Sequence, residues 1–366
     1  MRPSPVAILI LTILALATPR PVAPQAAVHY RQAADVFELL DNVSDWWPGY
    51  SDGRYRSYWV RHIGLSAADD TMLASYTKLR ERYFDKHGQS NEDPAISEGG
   101  LFTARATLDA DPVGDAFFQS ETVNEALGRL GGRIAPADLQ FLRRFYAHFE
   151  RRYLPLVTEH EQAVQASLAE TNRTLTSLMF ESWIGEVERF FDVASQGQRY
   201  DALYVWWPDS VRVVANLRGR FLVLRALVKP GEKLNVGDVV AHEAVHVIAA
   251  HQTSAQKRSI SDAFLRDCPV TASVGRLSVI EEPLAVVFGN MLFTRTFRRE
   301  RYRYAKRWYG DEWVDLYAKL LFSPTVDALQ HGGRIADEVT EAVQLCSTMR
   351  SLRERSGAPA DKERQR

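Results

Sequence analysis

The sequence predicts an α+β fold that is mainly α: a helical N-terminal half, then a small antiparallel sheet packed on one buried helix, then a C-terminal helical part. Three observations predict it. Apolar residues recur at helical spacing from about Gln32 to Val193, with few strand signals. After Gly197 the period changes to β-rich runs separated by turn residues. From Val239 to Ala250 every residue except His242, Glu243 and His246 is Val, Ala or Ile, and a helix apolar on every side is a buried one.

The elements follow in order. Val36, Leu39 and Leu40 share one face of a first helix, which Trp46-Trp47-Pro48-Gly49 ends. Ser66, with Asp69 three residues on, starts a second helix that runs to about Phe84. Residues 91–101 are punctuated by Gly and Pro and read as loop. Helices are expected near 112–130, 136–152, 154–170 and 174–191. Leu142, Phe145, Phe149 and Tyr153 form an apolar stripe that reads as core packing. Residues 202–207 and 221–227 are strand-like, 211–215 alternate, and Asn216-Leu217-Arg218-Gly219 reads as a turn. Lys229-Pro230-Gly231 turns the chain toward the buried helix.

The 366 residues carry 45 Lys+Arg against 46 Asp+Glu, a formal net charge of -1. This ordinary balance excludes a disordered chain and a polytopic membrane protein, and it argues against nucleic acid as the main partner, since phosphate binding needs a basic surface. At the N-terminus, Arg2 precedes an apolar run from Val6 to Ala17 broken only by Thr12, and Ala15-Leu16-Ala17 offers the small residues that a signal peptidase reads. The run falls short of the roughly 20 residues that span a bilayer. The expected organisation is a signal peptide at 1–17, with cleavage as late as 27, a helical domain at 28–195, a second domain with the strands and the buried helix at 196–349 and a charged tail at 350–366. The expected location is secreted or periplasmic, with no stable membrane insertion after cleavage. In such a compartment Cys268 and Cys346 either form one disulfide or remain two buried thiols. Asn42 and Asn172 stand in glycosylation sequons.

The chemistry sits in Val239-Val240-Ala241-His242-Glu243-Ala244-Val245-His246-Val247-Ile248. On a helix, residues four apart stack on one face, so both imidazoles reach a single metal ion. Glu243 is rotated by about 100° from His242, so it approaches a water beside the metal rather than the metal itself. Burying two His and a Glu in such a helix is costly unless a cation pairs them. Asp238 is expected to cap the helix, with Gly237 freeing the backbone before it.

These residues resemble the zincin metallopeptidases. The match is strong for ten residues, weaker for about 90 around them and absent from the N-terminal half. Ala249 and Gln252 stand where the metzincin branch has Gly and His, which removes that branch. The gluzincin branch takes a Glu from a following helix. Here 279–288 is mostly apolar and carries Glu281 and Glu282, and Glu282 followed by Ala285 matches the E-x-x-A arrangement. The resemblance implies zinc on His242, His246 and Glu282, with Glu281 the alternative third ligand and Glu243 the general base. Val286 stands where thermolysin-like enzymes place an Asp against the first His, so another residue must serve, with Asn290 a candidate.

Gluzincins also supply His or Tyr to a developing oxyanion. The candidates are His331, flanked by Gly332-Gly333, and Tyr302, Tyr304 or Tyr309. His251 points off the metal-facing side. An edge strand near 211–216 suits a peptide or protein substrate bound by strand addition. Arg295 to Arg307 holds seven basic residues and reads as a solvated face or a carboxylate-binding patch. The helical half is either a prodomain or a permanent lid. The resulting expectation is an exported zinc metallopeptidase, and the alternative is a zinc-binding module without hydrolytic activity.

Overall fold

Strands that are apolar on both faces must be covered on both faces, and that requirement organises this chain. The computed structural model describes residues 26–47, 51–84, 111–194, 200–209, 213–218, 221–229, 231–268 and 280–355. The expected signal segment, the 91–101 loop and most of the charged tail lie outside them. Four strands, β1 (Ala26–Tyr30), β2 (Tyr200–Trp206), β3 (Val214–Arg218) and β4 (Phe221–Ala226), form one sheet in the order β1-β2-β4-β3. Helices surround it, so the fold is α+β and mainly α, as expected.

The sheet is mixed, not antiparallel. β1 pairs parallel with β2 and β2 pairs parallel with β4, while β3 and β4 are antiparallel. The reason is legible in β2 and β4. Ala202, Tyr204, Leu222, Leu224 and Ala226 enter one core; Leu203, Val205, Phe221 and Val223 enter another. Near-continuous apolar runs of this kind mark strands buried on both faces rather than a sheet with one wet side. The short β1 was not expected, and residues 216–218, read as a turn, belong to β3.

The N-terminal helices are α1 (Gln32–Ser44), α2 (Gly53–His62), α3 (Ala67–Tyr83), α4 (Pro112–Phe118), α5 (Val123–Arg129), α6 (Pro136–Leu175) and α7 (Leu178–Phe190). Ser66 and Asp69 make the expected capping box at the start of α3. The helix α2 escapes the sequence pattern because only Tyr55 and Trp59 bury. The expected helices at 136–152 and 154–170 are one, α6, with Pro155 inside it. Pro155 and Arg151, whose carbonyl the proline leaves without its helical donor, are both exposed, so the unpaired carbonyl is on the solvent side of the helix.

Buried polar contacts tie this half to the sheet. Arg225 on β4 donates to Glu38 on α1 at 2.7 Å. Asp35 on α1 accepts from the Trp206 amide at the end of β2, from Tyr30 Oη at 3.0 Å, and pairs with His160 Nδ1 on α6 at 2.9 Å. Both sequon asparagines are committed to the fold. Asn42 accepts from the Asp52 amide at 2.7 Å, and Asn172 both accepts from the Val28 amide and donates to the Val28 carbonyl.

The C-terminal part comprises α8 (Gly237–Ala250), α9 (Ser254–Asp267), α10 (Glu281–Ala285), a π-helical segment (Val286–Leu292), α11 (Phe293–Phe297), α12 (Glu312–Gln330) and α13 (Ile335–Arg355). Cys268, which ends α9, and Cys346 in α13 form a disulfide with a Cα–Cα distance of 6.1 Å. The bridge closes a loop of 78 residues that contains α10. The chain-entropy model gives such a crosslink roughly 4 kcal/mol. Replacing both cysteines with serine is therefore expected to lower unfolding free energy by about that amount in urea melts.

Candidate metal centre

The helix α8 carries both histidines four residues apart and buries nearly all of its surface. Asp238 does not cap it. The N-cap is Val236, without a side-chain hydrogen bond, and Asp238 sits in the first turn 3.5 Å from Arg298. Gly237 serves packing rather than backbone freedom, because a Cβ there would stand 2.8 Å from Phe293 Cζ.

The structure brings His242, His246 and Glu282 together. His242 Nε2 lies 3.1 Å from Glu282 Oε1, His246 Nε2 lies 3.1 Å from Glu282 Oε2, and the two Nε2 atoms are 3.2 Å apart. The three residues are 8%, 3% and 7% exposed. The nitrogens on the far sides of both rings are engaged as well. His242 Nδ1 meets Asn290 Oδ1 at 2.9 Å, and His246 Nδ1 meets Glu281 Oε1 at 2.5 Å. Donation from Nδ1 to those oxygens leaves a lone pair on each Nε2, and both lone pairs face each other and a carboxylate. Such a set of acceptors fits a cation at its centre. Zinc ligands at about 2.0–2.2 Å in a tetrahedron stand roughly 3.3–3.6 Å apart, a few tenths of an ångström above the separations here. The residues thus fit a zinc ion held by nitrogen and oxygen. When no cation lies between them and the imidazoles carry the protons on Nε2, burial still pushes the Glu282 carboxyl up, but the donating, charged rings of His246 and His242 hold it well below the usual carboxylate range.

Glu281, the alternative ligand, instead orients His246, and Asn290 orients His242 in the place that Val286 leaves open. Asn290 is eight residues beyond Glu282, which in a regular α-helix is about 80° round the axis. The π-helical segment at Val286–Leu292 reduces that offset, so both residues reach the same imidazole. Gly289 lets the two helices touch: a Cβ there would lie 2.2 Å from His242 Cα and 2.3 Å from His242 N. Gly289 was not singled out in the sequence, where its one signal is a lone Gly inside an apolar run.

Among the candidate oxyanion donors, the structure brings Tyr309 to the centre. Its ring stacks on His242, with centroids 6.1 Å apart and an interplanar angle of 12°. Burial, the nearby Glu282 charge and a hydrogen bond to that carboxylate push the phenol well above its ordinary value, so it remains a proton donor. Asp315 on α12 fixes the loop by accepting from the Trp308 and Tyr309 amides at 2.6 and 3.2 Å. His331 is not part of the centre. It ends α12 with its side chain 73% exposed, and its ring binds the Asp327 carbonyl at 2.8 Å. Tyr302 packs on Trp308 and Phe322, and Tyr304 Oη donates to the Lys319 carbonyl. His251 turns away and contacts the Val247 carbonyl. Glu243 is half-buried beside the ligands. Compared with models of known protein families, with curated proteins and with solved structures, the chain matches none of them.

Two substitutions probe this construction. Gly289→Ala is expected to force α8 and the π segment apart and abolish stoichiometric metal while leaving the far-UV circular dichroism largely helical. Glu281→Gln keeps the shape but weakens the orientation of His246, so chelator competition is expected to show metal affinity reduced by about 10–100-fold.

Proposed function

We propose that this chain is an exported zinc-dependent metallopeptidase that hydrolyses peptide bonds. The observation that carries the reading is the convergence of His242, His246 and Glu282 with Glu243 one residue along the same helix and Tyr309 against His242. Zinc on those three residues would supply Lewis acidity, polarising a scissile carbonyl and making water acidic enough to attack near neutral pH. Glu243 takes the proton of the attacking water and passes it to the leaving amine. Tyr309 Oη donates a hydrogen bond to the oxyanion that develops on the carbonyl. Glu281 and Asn290 hold the imidazoles in the tautomer that turns Nε2 inward. The edge strand β3 offers backbone groups to an extended peptide or protein substrate.

Export is supported by the disulfide and by the signal-like N-terminus. No helix among the described residues is long and apolar enough to cross a membrane. Cleavage after Ala17 suits the fold better than cleavage at 27, which would divide β1.

The low exposure of the three ligands favours a second reading, a zinc site that stabilises the fold without hydrolysis. One experiment separates the two. Under the peptidase reading, Glu243→Gln retains one zinc per chain and loses turnover of a peptide library by orders of magnitude, while Tyr309→Phe lowers kcat by about 10²–10³-fold. A parent protein that binds zinc and cleaves no member of the library would favour the structural site.

A further inference from the structure

A second feature lies outside the metal centre and does not depend on it. A groove of about 630 Å³ runs between α7, the segment around α11 and the C-terminal half of α12. Its walls include the apolar side chains of Met179, Leu292, Val326 and Leu329, and Arg295 and Arg299 are exposed at its surface. Arg295 lies over the Phe322 ring, with its guanidinium carbon 5.7 Å from the centroid. Among the described residues neither arginine has a carboxylate within ion-pair distance, although Glu186 also lines the groove. Trp183 lines it too, is 4% exposed, and its Nε1–H has no acceptor among the described residues. The groove therefore combines an apolar wall with two arginines outside any direct ion pair and an unused buried donor.

The rim gives the second half of the picture. Leu178 and Met179, the first two residues of α7, are 83% and 58% exposed. Adjacent large apolar side chains in water are costly unless something covers them. Beyond Arg299 the chain presents Arg301, Arg303, Lys306 and Arg307, all exposed, with the exposed Glu300 3.9 Å from Arg301. Exposed apolar side chains at Leu178 and Met179, with Met179 lining the same groove as Arg295 and Arg299, are the pattern of a surface that rests on an anionic bilayer without crossing it.

We propose that this groove and its rim form a peripheral docking site for a bilayer containing anionic phospholipid. The phosphate head group is held by Arg295 and Arg299, an acyl chain lies against Met179, Leu292, Val326 and Leu329, and Leu178 enters the interfacial region. The occupant is a lipid in a membrane, because a soluble ligand would leave Leu178 uncovered.

The test is co-sedimentation of the full chain with vesicles of phosphatidylcholine alone or of equal parts phosphatidylcholine and phosphatidylglycerol. Binding is expected to require phosphatidylglycerol and to weaken as salt is raised. Arg295→Glu with Arg299→Glu, and separately Leu178→Ser with Met179→Ser, are each expected to reduce it at least about tenfold while circular dichroism and metal content stay unchanged. Equal binding of parent and variants would overturn the proposal, as would indifference to phosphatidylglycerol. A parent that binds dispersed short-chain phosphatidylglycerol in the groove but not vesicles would overturn the bilayer as its partner.

Discussion

Two imidazole nitrogens turned on one another across 3.2 Å, faced by a buried carboxylate, form the constraint on which the C-terminal part depends. Without a positive charge among them the three groups repel and have lost their water. Their burial together calls for a positive charge among them, from a proton on an imidazole or, on the proposed reading, from a bound cation. The neighbouring contacts favour the bound cation: Asn290 and Glu281 fix the Nδ1 sides of the rings, which turns the Nε2 sides inward. On the proposed reading the ion is part of the fold as well as of the chemistry, and its binding energy adds to the stability of α8 against α10.

That constraint explains features that propensity alone does not. A π turn is poorer in hydrogen bonding than an α-helix, yet one follows Glu282 directly, where it lets Glu282 and Asn290 share His242. Glycine costs up to about 1 kcal/mol in a helix, yet Gly289 occupies the point where the two backbones meet. The disulfide lies on the same segment at longer range, since its loop encloses α10 and secures α9 to α13. Asp315 does the corresponding work for Tyr309 by gripping its backbone from α12.

The two histidines of the candidate centre were legible because HExxH needs only local geometry: a four-residue spacing on an apolar helix places two imidazoles together whatever the tertiary fold. Glu282 was legible from an acidic pair in an apolar helix and was preferred over Glu281 through the E-x-x-A match with Ala285, and packing places Glu282 beside both Nε2 atoms. Asn290 was reachable as a candidate, whereas Gly289 acts through its contact with α8, a distance that no local pattern contains. The Gly-flanked loop made His331 the first choice in the sequence, ahead of Tyr309. They differ in where α12 leaves them, one held at its N-terminal end by Asp315 and the other exposed beyond its C-terminus. The strand pairing failed for a related reason. Periodicity reads one chain segment at a time, and β1 and β2 are separated by the whole helical half.

The helical half is better understood as a permanent part of the molecule than as a removable prodomain. A prodomain leaves behind a surface that is already complete. Here β1 comes from the N-terminal segment and pairs along the full register Ala26–Tyr30 with Tyr200–Tyr204, so its loss would expose one side of β2 to solvent. Leu203, Val205 and Val223 would lose the second core entirely, and Arg225 would remain buried on β4 without Glu38. Stranding one member of a buried ion pair costs about 3–5 kcal/mol. The sheet on whose other face α8 packs would then lack an edge, a covering layer and a counter-charge at once. The half that bears none of the proposed catalytic residues is thus what keeps the sheet beneath them intact.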